Sequence, residues 1–300
     1  MPARIARRAP AAKPPRKPAS KVRRTTARAD RLRDQTRRDA LSAAIPYLAT
    51  VRAPSVPLPA RRLGQHFSVA TYNVHRWSGI NGTRAPDPAR AGFVISELDA
   101  DIIALQEVLR PFDRQDPLER IADSLQRHMA FVTTRVHKRG EVGNAILSRW
   151  PITSIFSLDL SYGRMERRSA VAAEFLSERG GVSVVATHLA LVDRTRRRQV
   201  RAILENPRLQ GPAVLLGDMN AWRRCKATRD LEHELVGGDE MTWPRTFPAS
   251  RPILALDRVY ARGAVLSHIE AHASSAARKA SDHLPVVAHV EIAAGEGPER

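Results

Sequence analysis

Pro212-Ala213-Val214-Leu215-Leu216-Gly217-Asp218-Met219-Asn220 is the stretch on which the fold turns. A Gly211-Pro212 turn opens it and a short apolar run follows, the pattern of a buried strand. Packing gives such a strand no reason to end in a carboxylate and an amide, since both are costly to bury unless hydrogen-bonded or bound to a cation. The glycine lets the backbone turn sharply at the strand's C-terminal end and aims Asp218 and Asn220 the same way. Oxygen donors of this kind suit a hard cation such as Mg²⁺, or an attacking water. The tetrapeptide alone decides little; partners elsewhere in the chain give it meaning.

Moving upstream, Val184-Val185-Ala186-Thr187-His188 is a second apolar run, ending in a histidine. Between the two, Asp193 is placed to cap a helix running to about Glu205, with Val200, Ile203 and Leu204 inward. Its outer face would carry Arg194, Arg196, Arg197, Arg198 and Arg201, read as a solvated helix face, with an anionic-substrate rim as the sharper alternative. Earlier still, Phe67 to Asn73 alternates apolar and polar residues and delivers Asn73 at a strand end. Asp87-Pro88 caps a helix through about Asp99, with Phe93, Val94 and Leu98 buried. Asp101 to Glu107 is another buried strand with a carboxylate at its far end, and Asp116-Pro117 starts a helix to about Gln126. Strands are predicted at 128–135, 143–148, 152–158, 169–176 and 182–187.

Downstream of Asn220 the reading gives an irregular region containing Trp222 and Trp243, then a strand from Ile253 to Tyr260 carrying Asp257. Ser281-Asp282-His283 precedes a final strand, Leu284 to Ile292. There is an internal echo: a strand-helix-strand unit separates Asn73 from Glu107 by 34 residues, and a second separates His188 from Asp218 by 30. Two such halves packed face to face make a layered sheet sandwich with polar strand ends at one rim.

The formal charge of +18 is unevenly spread. Residues 1–62 hold 17 Lys/Arg against Asp30, Asp34 and Asp39, so +14 sits there and +4 is left for the remaining 238 residues. Residues 1–65 therefore read as a basic, Pro/Ala/Arg-rich disordered tail and linker, with a short helix over Asp30 to Leu48. Such a tail is either a clamp on polyanions or a plain solubilising extension. Residues 66–293 form the domain, and 294–300 a frayed end. The single cysteine, Cys225, excludes an intramolecular disulfide and fits a reducing, cytoplasmic setting. No apolar run is long enough to span a bilayer, and the basic N-terminus lacks the apolar core of a secretory signal.

Asn73, Glu107, His188, Asp218, Asn220, Asp257 and the Asp282-His283 pair thus fall at or just beyond predicted strand ends. Each has a plain explanation alone; together the plain explanations must all hold at once. Set beside Thr71-Tyr72-Asn73, Leu105-Gln106-Glu107, Gly143-Asn144-Ala145-Ile146-Leu147-Ser148-Arg149, Thr187-His188-Leu189, Gly217-Asp218-Met219-Asn220, Leu256-Asp257-Arg258 and Ser281-Asp282-His283, the sequence resembles the endonuclease/exonuclease/phosphatase superfamily. That superfamily of metal-dependent phosphoesterases includes DNase I, AP endonucleases, inositol phosphatases and neutral sphingomyelinases. The segments occur in family order over about residues 67–292.

The resemblance implies a four-layer α/β/β/α sandwich, two packed mixed sheets flanked by helices, with the site at one sheet edge. It implies a Mg²⁺ cofactor, with Mn²⁺ as the alternative, held by Glu107 with Asn73 and Asp282. Asp218 would orient or deprotonate the attacking water, and Asn220 would fix the phosphate or that water. His283, held by Asp257, and His188 would stabilise phosphoryl charge and handle protons, with Asn144, Asn220 and His188 touching the substrate. The expected activity is hydrolysis of a phosphodiester in nucleic acid, phospholipid or a small metabolite; a non-catalytic nucleic-acid- or membrane-binding module is the alternative. The core shows no basic insertion loop with aromatic wedges of the kind that kinks DNA, and Trp77 and Trp222 read as packing residues.

Overall fold

The computed structural model describes residues 49–56, 62–82, 85–112, 115–163, 165–236 and 241–293. The expectations for residues 1–48, including the Asp30 to Leu48 helix, and for residues 294–300 lie outside the described residues. Strands β1 (Ala49–Arg52), β2 (His66–Asn73), β3 (Ile102–Pro111), β4 (His128–His137) and β5 (Gly140–Ser148) come first in the chain. Then come β6 (Ser154–Asp159), β7 (Ser169–Ser177), β8 (Gly180–His188) and β9 (Ala213–Asp218). The last are β10 (Asp257–Arg262), β11 (Ala264–Ala271) and β12 (Val286–Ile292). The helices are α1 (Pro88–Glu97), α2 (Pro117–Ser124), α3 (Asp193–Leu204), α4 (Lys226–Val236) and the short α5 (Ala277–Ala280).

The strands form two mixed sheets, ordered β1-β4-β5-β3-β2-β12-β11 and β10-β9-β8-β7-β6. Side-chain alternation sets the layers. Phe67 and Val69 of β2, with Ile102 and Ala104 of β3, join the core shared with the second sheet. Their neighbours Ala70, Tyr72, Ile103 and Leu105 instead pack with Val94 and Ile95 of α1 and Leu118 of α2. Val200 and Ile203 of α3 and Leu231 of α4 close the other side, so the molecule is the α/β/β/α sandwich expected.

Each sheet contains one parallel pair, β2 with β3 and β8 with β9, bridged by α1 and α3; the other pairs are antiparallel. The internal echo is thus real in topology. Parallel pairing sends the C-terminal ends of both strands to one edge, which brings Asn73 and Glu107 together on one sheet and His188 and Asp218 on the other.

Several local expectations need correction. Residues 49–52, assigned to the linker, form β1, because Ala49 to Arg52 pair with β4 and Arg52 reaches Glu119 and Asp123 of α2. Leu63 is also part of the fold, fully buried beside Ser177. Phe93 is 58% exposed, and Ala91, Val94 and Ile95 supply the buried face of α1. The region after Asn220 is not all irregular: α4 lies in it, packing Ala227, Leu231 and Leu235. The strand predicted from Ile253 begins only at Asp257, because residues 246–254 turn back on themselves through bonds between Thr246, Phe247 and Leu254. Trp77 packs as predicted, donating to the Leu109 carbonyl, but Trp222 is 66% exposed.

Candidate active site

Asp218 ends β9 in a buried position. Gly217 precedes it for a steric reason: a Cβ there would lie 1.9 Å from the carbonyl oxygen of Thr187 on the paired strand β8. Only glycine allows the two backbones to approach this closely, and the approach sets His188 beside Asp218. The Asp218 carboxylate has two donors and two imidazoles around it. Asn73 Nδ2 donates to Oδ2 at 3.1 Å, and the Asn220 backbone N donates to Oδ1 at 2.9 Å. His188 Nε2 and His283 Nε2 lie 3.3 and 3.6 Å from Oδ2.

His283 is held from behind by Asp257, whose Oδ2 lies 2.8 Å from Nδ1 and also accepts from Thr246 Oγ1 at 2.6 Å. Burial alone would depress the His283 pKa, but the Asp257 and Asp218 carboxylates and the Asp257 hydrogen bond outweigh it and hold the imidazole protonated. Burial raises the Asp218 carboxyl above the ordinary carboxylate range, against the pull of His283. His188 goes the other way: burial, then the positive side chains of Arg168, His283, Arg135 and Arg76, push it well below 6.5, so it is neutral. The Asn220 amide donates to His188 Nε2 and to the Leu189 carbonyl, both at 2.9 Å, which places the imidazole hydrogen on Nδ1, 4.0 Å from Glu107 Oε1.

Glu107 does not end its strand. β3 continues to Pro111, and the pairing with β5 shifts register between Leu105 and Val108. Glu107 sits in this bulge with φ +54°, and the bulge re-aims its side chain toward the rim. Asn220 (φ +49°) and the consecutive His75, Arg76 and Trp77 (φ +45° to +63°) share the left-handed region. Strain of this kind gathers where geometry serves function.

The remaining expected residues fall around this centre. Asp282 Oδ1 is 3.1 Å from His75 Nδ1, and the His75 backbone N donates to Asn73 Oδ1, so His75 joins Asp282 to Asn73. Ser281 Oγ donates to the Asn73 carbonyl at 2.6 Å. Asn144 donates to the Ser169 carbonyl while lining a small open cleft with Glu107, Arg135, Arg168 and His188.

Three residues were given no site role by the sequence reading. His75, two residues after Asn73, is one of them. Arg196, assigned to the outer face of α3, is 5% exposed and donates through Nη1 to the carbonyls of Ala190, Leu191 and Asn220. Arg258 likewise reaches the Ala221 and Ala255 carbonyls. The available signal was an arginine three residues after Asp193, one turn on, a pair that the structure shows at 3.1 Å.

Two donor sets could hold a cation. Asp218, Asp257 and His283 offer ligand atoms within 4.8 Å of one another, with Asp257 Oδ2 already bonded to His283 Nδ1 and Thr246 Oγ1. Glu107 offers the better atom: its buried Oε2 accepts no hydrogen bond, with Arg76 Nε 3.4 Å away. A buried carboxylate oxygen that accepts no hydrogen bond is the kind of donor a hard divalent ion takes.

The sequence model of the Endonuclease/Exonuclease/phosphatase family matches residues 70–283, which take in the site residues from Asn73 to His283. The chain belongs to this family. Among family relatives, YbhP of Escherichia coli K12 is 30% identical over 248 residues, covering 75% of this chain and 96% of its own. The Beutenbergia cavernae endonuclease/exonuclease/phosphatase structure superposes with a TM-score of 0.60 at 22% identity, over 78% of this chain and 72% of that one. D. rerio TDP2 complexed with single-strand DNA product superposes at 0.57 and 15% identity, over 75% and 98%. Membership and fold make the chain a protein of the phosphoester-hydrolase type.

Proposed function

We propose that the chain is a metal-dependent phosphodiesterase that hydrolyses its substrate by attack of water on phosphorus. The observation that carries this reading is Asp218: a buried carboxylate at the meeting of two sheets, touched by Asn73, Asn220, His188 and a protonated His283. Glu107 would hold the divalent ion, with Asn73 and Asp282 as further oxygen donors, and Mg²⁺ or Mn²⁺ suits that donor set. When bound, the ion neutralises phosphoryl oxygens that would otherwise repel a nucleophile.

The chain's own residues supply the rest. Asp218 orients the attacking water and accepts its proton as the new P–O bond forms; the ester P–O bond opposite it breaks, and the departing oxygen leaves as an alcohol after taking a proton from solvent water. His283, kept charged by Asp257, donates to the phosphoryl oxygens where negative charge grows, and Asn220, its amide bonded to His188 and the Leu189 carbonyl, fixes the neutral imidazole beside them. Asn144, on the cleft wall, and neutral His188 border the substrate's path. A non-catalytic binding module has no need of a carboxylate held among two imidazoles at this cost in burial. D. rerio TDP2 holds a single-strand DNA product, but at 15% identity it supports the fold and leaves the substrate to this chain's own rim.

The test is a substrate screen with and without EDTA: bis-p-nitrophenyl phosphate, plasmid DNA, an abasic oligonucleotide, RNA, sphingomyelin and phosphatidylinositol. Metal-dependent cleavage of at least one diester is expected. Absence of turnover on all of them with Mg²⁺ or Mn²⁺ present would remove the reading.

A further inference from the structure

Buried arginines staple the loops that surround the site. Arg196 Nη1 ties the carbonyls of Leu191 and Asn220 at 3.1 and 2.8 Å, and Arg258 ties those of Ala221 and Ala255 at 3.0 and 3.1 Å. Loops from distant parts of the chain are thereby fixed side by side. The residues that project from them are apolar: Leu191 is 58% exposed, Val192 45%, Trp222 66% and Ile253 58%. Ile253 donates its backbone N to the Phe247 carbonyl, and the Phe247 ring lies 5.0 Å from the His283 ring, so this loop too borders the site. Of the ten exposed large apolar side chains among the described residues, these four flank one rim.

The same loops are positively charged. Arg194, Arg197, Arg223, Arg245 and Arg251 are exposed, whereas Asp193, the acid beside Arg194, is paired with Arg196. Exposed apolar groups beside a site mark a contact surface rather than a solvated face. Leu191, Val192 and Ile253 cannot stack on bases, the contact that single-stranded nucleic acid uses, and Trp222 is the one aromatic among the four. Tryptophan and aliphatic residues interleaved with arginine match a layer with an apolar interior and an anionic face.

We infer that this rim docks on the surface of an anionic phospholipid bilayer, presenting the site to the phosphodiester of a lipid headgroup. The choice of lipid as substrate rests on the phosphodiesterase reading; the docking surface stands without it. Trp222, Leu191, Val192 and Ile253 enter the headgroup region while the arginines meet lipid phosphates.

The experiment uses the full chain in EDTA, so that binding is read without turnover, with vesicles of phosphatidylcholine alone or mixed with phosphatidylglycerol. The basic N-terminal segment will itself attract anionic vesicles, so the readout is local: the fluorescence of Trp222, since Trp77 and Trp243 are buried and Trp150 is partly buried. Emission should move to the blue on mixed vesicles and be quenched by lipid brominated in its acyl chains, and Trp222→Phe should remove the response. A Leu191→Ser/Val192→Ser double variant should weaken partitioning about tenfold, from lost apolar burial. No response on either vesicle, or the same response in Trp222→Phe, overturns the inference. So does quenching by oligothymidylate without any vesicle response, or self-association of the wild-type chain that the double variant abolishes. Turnover of bis-p-nitrophenyl phosphate with Mg²⁺, measured alongside, separates failure of the docking surface from failure of the hydrolase reading.

Discussion

Asn73 Nδ2 and Asp218 Oδ2 lie 3.1 Å apart across 145 residues of chain, and this bond joins the end of β2 in one sheet to the end of β9 in the other. The site exists because the two parallel pairs stop at the same edge. Disturbing either strand end therefore alters the chemistry before it alters the fold.

Glu107→Gln keeps the side chain's size while removing the charge of the orphaned Oε2. Hydrolysis of bis-p-nitrophenyl phosphate should fall by about 10²–10⁴-fold, as expected for loss of metal-borne charge stabilisation. Mg²⁺ or Mn²⁺ should raise the melting temperature of the wild type and leave that of the variant unmoved, a readout independent of turnover.

His283→Ala leaves Asp257 fully buried with Thr246 as its remaining partner. Denaturant titration should show a loss of about 3 kcal/mol, the cost of an uncompensated buried carboxylate. Adding Asp257→Asn should recover most of that stability but none of the activity. Recovery of both would show that His283 serves the fold alone.

Arg196→Met should lower kcat by about 10²-fold with little change in KM, because the guanidinium fixes the carbonyl of Asn220 without lining the cleft. Arg196→Lys should restore folding better than activity, since one ammonium nitrogen cannot hold both the carbonyls that Nη1 meets and the Asp193 carboxylate that Nη2 meets. Steady-state kinetics on both variants checks this.

The neutral state of His188 has a signed consequence for stability. The unfolded chain takes up a proton at this residue near the ordinary value of 6.5, whereas the folded chain resists until well below it. The unfolded state then binds more protons, so this contribution is present above pH 6.5 and is lost as pH falls. Relative to a His188→Gln variant, the wild type should lose about 1.4 kcal/mol per pH unit on that acid side.

Gly217→Ala would bring a methyl group to 1.9 Å from the Thr187 carbonyl oxygen. Because the obstacle is backbone, β8 and β9 must separate, at a cost of about 3 kcal/mol or more by thermal or chemical unfolding.

Sequence and structure divide the account unevenly. Apolar runs ending in Asn73, His188 and Asp218 were legible because a buried strand that stops at a polar side chain breaks its own pattern. The Asp87-Pro88 and Asp116-Pro117 helix starts were equally local, each aspartate accepting a bond from a backbone N in its own first turn. The placement of Glu107 was visible only in part. Its position in β3 follows from the pattern, but the bulge that turns it comes from pairing with β5.

Nothing local could reveal that Arg196 is buried or that Trp222 is exposed. An arginine on a polar helix face looks solvated, and a tryptophan looks like core, until the surrounding backbone is known. By itself, then, the sequence determined most of the strands, the polar ends of those that build the site and the layered class of the fold, since these depend on periodicity over a few residues; the edge strands β1 and β11 were not legible in it. The tertiary structure alone decided which carbonyls a guanidinium meets, which imidazole carries a proton and which apolar side chains are left facing outward. Those depend on groups brought within a few ångströms from segments far apart in the chain.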